Sequence, residues 1–267
     1  MSIITLLSDF GTDDAYVGIM KGVILRVNPA VTIIDITHAI APQDLVQAAF
    51  TVDDYYRYFP EKTVHIIVVD PGVGSDRAIV AMETEKHIFL APDNGVLTRL
   101  MDGAVVGRVV RVNNKRHFQE PVSKTFHGRD IFAPVGAHLS KTLRLNDVGE
   151  PIDPGVLVRL SLPRPYLTEG GTVAGAIVSI DRFGNLITNI DWQYLKEHFA
   201  TVTMPALKIL IGNRIVKGLS PSYDSSAPNE PLAIIGSRGY VEISVNLGSA
   251  CAYFGSDKGD RVEIIKP

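Results

Sequence analysis

The chain is poor in cysteine and tryptophan: Cys251 is its one thiol and Trp192 its one indole among 267 residues. One thiol closes no internal disulfide, so the disulfide-stapled secreted class is excluded and a reducing, cytoplasmic setting is expected. No run approaches the roughly 18 consecutive apolar residues of a membrane-spanning helix. The N-terminal apolar run has no basic flank and stops at Ser8-Asp9, so it reads as a strand and not as a signal peptide. Basic charge is not in surplus: 26 Lys+Arg stand against 29 Asp+Glu, a net charge of −3. That excludes a generic nucleic-acid coat, which needs extra cations to displace counterions from phosphates. Internal repeats and low-complexity segments are absent. So are cysteine clusters, the His-Glu-x-x-His pattern and calcium-loop spacing. No metal is expected, although Asp9, Asp70 and His127 leave a dispersed site geometrically open. At 46% hydrophobic and 21% charged, the composition is that of an ordinary globular protein. The length suits one large domain or two modest ones.

Strand-like and helical patterns alternate through the first half. Ile3–Leu7 reads as a strand, and Asp13-Asp14 opens a helix with Tyr16, Ile19, Met20, Val23, Ile24 and Val27 on one face. Acids at that end suit the helix dipole, and Asn28-Pro29 stops the helix. Strands follow over 31–36 and 64–69, a helix over 45–58, a hairpin from 79–84 and 87–91, and a helix within 126–140. This is an α/β layer with a largely parallel or mixed central sheet. A break comes at Leu162-Pro163-Arg164-Pro165, followed by Glu169-Gly170-Gly171. The expected organisation is an N-terminal α/β domain over 1–163, a linker over 164–170 and a C-terminal domain over 171–267. Strand patterns at 173–180, 207–211, 232–235, 240–245 and 262–265, with one helix over 192–199, suit a small antiparallel β-barrel. Residues 220–231 read as a polar, mobile loop.

Five segments carry chemical potential. In Ser8-Asp9-Phe10-Gly11-Thr12-Asp13-Asp14, Asp9 follows the first strand, where open α/β sheets bind ligands. Its carboxylate suits a ribose diol, since it offers only acceptors; a plain strand-to-helix turn capped by Asp13 fits equally. Asp70 ends a buried apolar run, where desolvation favours a basic carboxylate. Its glycine-rich follow-on Pro71-Gly72-Val73-Gly74-Ser75-Asp76-Arg77 brings Arg77 back as a cation; an ordinary glycine turn with a surface ion pair is the plainer reading. His127, in Thr125-Phe126-His127-Gly128-Arg129-Asp130, precedes a helix start that disfavours its protonated form, though a structural histidine also fits. Asp181, Phe183 and Asn185 around Gly184 suit a base that is stacked and edge-read, or simply a β-turn. Ser237 and Arg238 between Gly236 and Gly239, with Asn246 after them, suit a carboxylate, or simply a hairpin.

In this order, the strings SDFGTDD, VDPGVGSDR, APDNG, TFHGRDIF, DRFGNLITNI and GSRG with Asn246 resemble the S-adenosyl-L-methionine hydroxide adenosyltransferase family, relatives of the fluorinase and chlorinase enzymes. The resemblance covers essentially the whole chain. It implies an α/β domain joined to a β-barrel, and homotrimers with the substrate between the N-terminal domain of one subunit and the C-terminal domain of its neighbour. It implies hydrolysis of S-adenosyl-L-methionine to adenosine and L-methionine, with no cofactor. By the same resemblance Asp70, Arg77 and His127 form the catalytic set and Asp9 binds the ribose. Asn185 and Phe183 hold the adenine, Asp181 meets the amino group, and Ser237 with Arg238 meets the carboxylate; Asn246 joins them as a binding residue. The halogenating relatives carry Tyr at the Asp70 position and Ser after the histidine, where this chain has Gly128. They also carry tryptophans where it has Gln43 and Ile187. Those differences imply water as the nucleophile in place of halide; a halide-using transferase, a non-catalytic sensor of the same ligand and a metal-dependent hydrolase are the alternatives.

Overall fold

A seven-stranded sheet comprises β1 (Ile3–Ser8), β2 (Thr32–Thr37), β3 (Val64–Val68), β4 (Ile79–Thr84), β5 (Ile88–Pro92), β6 (Val106–Val112) and β7 (Gly149–Pro151), and the short, mainly apolar runs β1, β3, β4 and β5 are buried almost throughout. In the computed structural model, which describes residues 2–141, 143–199 and 204–266, these strands belong to the first of two units, Met1–Leu160 and Ser161–Pro267. Their order is β2-β1-β3-β5-β4-β6-β7. The pairs β1/β2, β1/β3 and β3/β5 are parallel; those involving β4, β6 and β7 are antiparallel. The sheet is therefore mixed, as the sequence patterns imply.

Helices α1 (Tyr16–Val27), α2 (Leu45–Tyr55), α3 (Thr98–Gly103) and α4 (Ala133–Lys141) cover it. Ile66 and Val68 pack with Met20, Ile24 and Val135 from α1 and α4, whereas Ile67 and Val69 pack with Ala48, Val52 and Leu100 from α2 and α3. Successive β3 side chains point to opposite faces and all are buried, so this strand is apolar at every position but His65 and has no regular polar alternation. Each such side chain contributes about 1.5–3 kcal/mol by leaving water. α1 differs from expectation at its start. It begins at Tyr16 with no side-chain cap and no acid in its first turn. Gly11, at φ +68°, donates its N–H to the His38 carbonyl, which holds the chain in a turn through Asp13 and Asp14.

His65 lies fully buried on β3. Its ring stacks on Phe89 at 4.8 Å, and its Nδ1 is 2.8 Å from Thr5 Oγ1. Burial, and then the nearby His87, push its pKa down to about 3. The unfolded chain therefore binds a proton near pH 6.5 that the native state refuses. The His65 contribution is complete above about pH 6.5 and is lost as pH falls toward 3. Denaturant melts of His65→Phe should show a shallower acid limb than wild type; identical limbs would remove His65 from the acid response.

The second unit contains β8 (Tyr166–Leu167), β9 (Val173–Ile180), β10 (Leu186–Asp191), β11 (Lys208–Ile211), β12 (Arg214–Lys217), β13 (Pro231–Ile235), β14 (Tyr240–Val245) and β15 (Arg261–Ile265). The order β12-β11-β15-β9-β10-β14-β13 is antiparallel throughout, with β8 added on β9. Edge strands β12 and β13 touch, so the sheet curls nearly closed into the expected barrel. Besides α5 (Trp192–His198) there is a second helix, α6 (Ala250–Phe254), which the sequence patterns did not indicate. Ser249 caps it, its side chain accepting from Ala252 N–H, and Gly255 at φ +63° ends it. Residues 220–230 form the loop expected over 220–231, with one short 3₁₀ turn at Tyr223–Ser225, and Pro231 already belongs to β13.

Candidate active site

The site grows from the strand order. β1 connects to β2 on one side, and β3 lies on the other, so the sheet reverses direction of growth between β1 and β3. These two strands pair in register with Ser8 opposite Val68. Asp9 and Asp70, just past those positions, therefore stand at neighbouring carboxyl ends.

Asp70 and Arg77 form a buried pair; their side chains are 5% and 10% exposed. Arg77 Nε donates to both Asp70 oxygens at 2.9 Å, and Arg77 Nη2 donates to Oδ2. The loop between them turns at Gly74, φ +80°, where a Cβ would sit 2.2 Å from the Lys124 carbonyl oxygen. Only glycine fits there, and the close approach brings the 71–77 loop onto the segment that leads to His127. Arg77 Nη2 also lies 2.8 Å from His127 Nδ1. A guanidinium only donates, so Nδ1 is the acceptor and the neutral ring carries its proton on Nε2. Burial, and then the Arg77 charge, lower the His127 pKa against the opposing pull of Asp70 and Asp130. At neutral pH His127 is a fixed hydrogen-bond donor.

His127 precedes a π-helical turn, Gly128–Phe132, that runs into α4. Asp130 in that turn is fully buried, yet Arg129 and the Ser123 N–H, which donates at 2.8 Å, hold its carboxyl below the usual range despite burial. It anchors the 123–130 loop beneath His127. A Cβ on Gly128 would come within 3.1 Å of Met20 Sδ and 3.2 Å of Phe126, so a larger residue there displaces ring and thioether.

These groups face an open pocket of about 380 Å³ in the first unit. Asp9, Asp70 and His127 line it with Gln43, and Phe10, Tyr16 and Phe126 supply ring faces. The three rings contact one another at 5.1–6.1 Å between centroids. Among the described residues the lining carries two carboxylates and no lysine or arginine; Arg77 behind it neutralises Asp70, so Asp9 supplies the negative field that favours a cationic ligand. Asp9 Oδ2 accepts from Gln43 N–H at 2.9 Å and so fixes Gln43 at φ +65°.

Behind Asp9 lies a network that motif reading missed. Ser8 Oγ is 2.7 Å from His38 Nδ1, His38 Nε2 is 3.1 Å from Asp35 Oδ1, and Lys21 pairs with Asp35. Burial raises the Asp35 pKa, but Lys21 and His38 outweigh it and hold the carboxyl below its usual range. Ser8 is 2% exposed, so this chain of groups holds the end of β1 and offers no nucleophile to a ligand. The Asp-x-x-His spacing across the end of β2, from Asp35 to His38, was the available signal.

The remaining sequence candidates lie in the second unit. Asp181 Oδ1 accepts from Phe183 and Asn185 N–H, and Oδ2 accepts from Asn185 Nδ2, all at 2.9 Å. That pins the β9–β10 turn and leaves Phe183 76% exposed. Ser237 and Arg238 are exposed on the β13–β14 turn. That turn stands at the opposite end of β10 from Asp181, since Asp191 pairs with Tyr240 while Leu186 pairs with Ile243. Between them Glu242 accepts from Tyr223 Oη at 2.6 Å. Asn246 donates from Nδ2 to the Ser226 carbonyl at 2.7 Å and ties the 220–230 loop to the end of β14.

A family model of the SAM hydroxide adenosyltransferase N-terminal domain matches residues 4–149, and that of the C-terminal domain matches residues 175–263. An (R)-S-adenosyl-L-methionine hydrolase from Salinispora tropica is 33% identical over 269 residues, covering 98% of this chain and 97% of that protein. A fluorinase from Actinoplanes sp. is 29% identical over 291 residues, covering 99% of this chain and 97% of that one. The crystal structure of a conserved protein from Thermotoga maritima superposes with a TM-score of 0.92 at 35% identity, covering 98% of this chain and 100% of that chain. Both domain models fall on one chain in order, on the same segments that carry the site, and the chain belongs to the SAM hydroxide adenosyltransferase family.

Proposed function

We propose that the protein hydrolyses S-adenosyl-L-methionine to adenosine and L-methionine. The observation that carries this reading is the Asp70–Arg77–His127 cluster in an acid-lined pocket, within a chain of this family. Water oxygen attacks ribose C5′ opposite the sulfur. The C5′–O bond forms as the C5′–S bond breaks, the bonding pair leaves on sulfur as a neutral thioether, and the water proton passes to Asp70 and then to solvent. Asp70 Oδ1 accepts a single hydrogen bond from Arg77 and keeps a lone pair for the water. His127 Nε2–H donates to the water oxygen and aims it. Holding water and C5′ in near-attack geometry supplies up to about 7–11 kcal/mol in ideal cases. The leaving group is neutral, so the chemistry calls for no metal or redox cofactor. Phe10, Tyr16 and Phe126 offer ring faces to the sulfonium, and Asp9 accepts from the ribose hydroxyls.

In the second unit, Phe183 stacks on adenine and the Asn185 carbonyl oxygen accepts from its exocyclic amine, since Asn185 Nδ2 is engaged by Asp181. Asp181 meets the ammonium group, Ser237 and Arg238 meet the carboxylate, and Asn246 supports them. The name of the Salinispora tropica relative specifies the (R) sulfonium, and the same epimer is proposed as the substrate here. The protein is read as cytoplasmic, on the strength of its single cysteine; among the described residues no helix is long and apolar enough to cross a membrane.

The test is direct. Purified protein, given separated sulfonium epimers, should release adenosine and methionine in equal amounts, with or without chelator. Binding without products would favour a sensor. Loss of activity in chelator would favour a metal hydrolase. A 5′-halo product in chloride or fluoride would favour the halogenase reading that the fluorinase relation raises; the Asp70 carboxylate repels a halide at the attack position.

The assembly reading is a homotrimer in which a neighbouring copy supplies the second-unit residues. Asp70→Asn and Asn185→Ala subunits, each weakly active alone, should then regain activity when co-expressed. Some mixed sites would combine an intact first unit with an intact second unit. Co-expressed subunits no better than either variant alone would assign each site to one chain.

A further inference from the structure

A second pocket of the first unit shares no residue with the active site. It measures about 370 Å³ and is lined by Arg26 of α1, Arg116, His117 and Glu120 of the 115–120 segment, and His138 of α4. The His117 and His138 rings lie 5.0 Å apart. Among the described residues neither the Arg26 nor the Arg116 guanidinium has a hydrogen-bond or ion-pair partner. Two arginines and two imidazoles thus converge on a concave polar surface whose lining holds one carboxylate, Glu120.

Helix ends do not account for this arrangement. Cations in a last turn complement a helix dipole, but the end of α1 is already served: Lys141 Nζ donates to the Val27 carbonyl at 3.2 Å and Asn28 N–H to Ile24. Arg116 and His117 stand on a separate 3₁₀ turn, Lys115–His117. That turn is held in place, with Asn114 Oδ1 accepting from Arg116 N–H and Asn114 Nδ2 donating to the Asp147 carbonyl at 2.8 Å. The cations are presented on an anchored frame and are not merely solvated on a mobile loop.

We propose that this pocket binds a phosphoryl dianion, either free phosphate or the phosphate of a small metabolite. Two guanidinium forks with two imidazole donors exceed what the two oxygens of a carboxylate accept, and they match the terminal oxygens of a phosphoryl group. The volume lies within the range of small-molecule sites. The rings are faced by Arg26 from α1, by Arg116 and Glu120 from their own segment, by Lys141 from α4 and by Asp147. Burial, and then the charges of His117 and Lys141, lower the His138 pKa. An anion between the rings opposes those charges, so its binding takes up protons and tightens as pH falls.

Calorimetric titration of the full chain tests this with sulfate, phosphate, ribose 5-phosphate and acetate at constant ionic strength. Sulfate remains a dianion across the range, so its affinity should rise severalfold from pH 8 to pH 6 through the protein alone. The Arg26→Gln/Arg116→Gln variant should bind sulfate and phosphate at least about tenfold more weakly, since both charged forks are lost. Both arginines are exposed, and an unchanged melt of the variant separates site loss from unfolding. Ribose 5-phosphate tighter than phosphate identifies a metabolite ligand; equal affinity identifies free phosphate. Undetectable binding of every dianion, acetate binding as tight as phosphate, or a variant that binds like wild type would each overturn the proposal.

Discussion

Asp70→Asn is expected to lower S-adenosyl-L-methionine turnover by about 10²–10⁴-fold, the span of a positioned general base. The substitution keeps the shape of the side chain and an oxygen able to accept from Arg77, but it removes the proton acceptor. That distinction matters because Asp70 has two available roles, orienting the water and taking its proton. An asparagine still orients; it does not take the proton. A loss smaller than about tenfold would leave Asp70 an orienting group alone. KM should move far less than kcat, since the carboxylate acts on the water and not on the bound nucleoside. Alanine is the poorer probe: it leaves the Arg77 guanidinium, 10% exposed, with no acceptor at all from position 70. Breaking a buried pair from one side costs about 3–5 kcal/mol, enough to confuse lost chemistry with lost fold. A thermal melt beside each kinetic measurement separates the two.

Arg77→Lys is the second large effect, with turnover expected to fall by about 10²-fold or more. Lysine keeps the charge but not the fork, and one ammonium cannot span both Asp70 oxygens and His127 Nδ1 as Arg77 does. The more telling readout is the pH profile. In the wild type, burial and Arg77 lower the His127 pKa, so the neutral donor form persists below the ordinary histidine range. Activity tied to that form should therefore hold as pH falls through about 6.5 and decline only below it. In the lysine variant, Nδ1 loses the donor that fixed the tautomer, and the acid limb should move toward the ordinary value. A slow variant with an unmoved acid limb would mean that Arg77 acts on Asp70 and not on His127.

Much of this site is legible from local sequence, for physical reasons. A strand buried on both faces is a nearly continuous apolar run, broken only by Thr5 in β1 and His65 in β3, so Ile3–Leu7 and Val64–Val68 are visible, and with them the acids just beyond. The turn chemistry around Asp181 is equally local, because its carboxylate bonds to Phe183 and Asn185. What is not local is not legible. The Ser8–Val68 register that sets Asp9 beside Asp70 joins positions 60 apart in the chain. The Ser8–His38–Asp35 network joins β1 to the end of β2 across 30 positions. Short elements escape for another reason: α6 has five residues and α3 six, too few turns for a 3.6-residue period to declare itself. The β11–β12 hairpin did carry a signal. Gly212-Asn213 is a two-residue turn, with Ile211 opposite Arg214 and Gly212 at φ +57°.

Turnover in water enriched in heavy oxygen tests the central claim most directly. One labelled atom is expected in the 5′-hydroxyl of adenosine and none in methionine, because the oxygen enters at C5′ as the sulfur departs. Unlabelled adenosine, or an intact thioether still attached to C5′ with the label on the amino-acid fragment, would place the broken bond elsewhere and contradict the account.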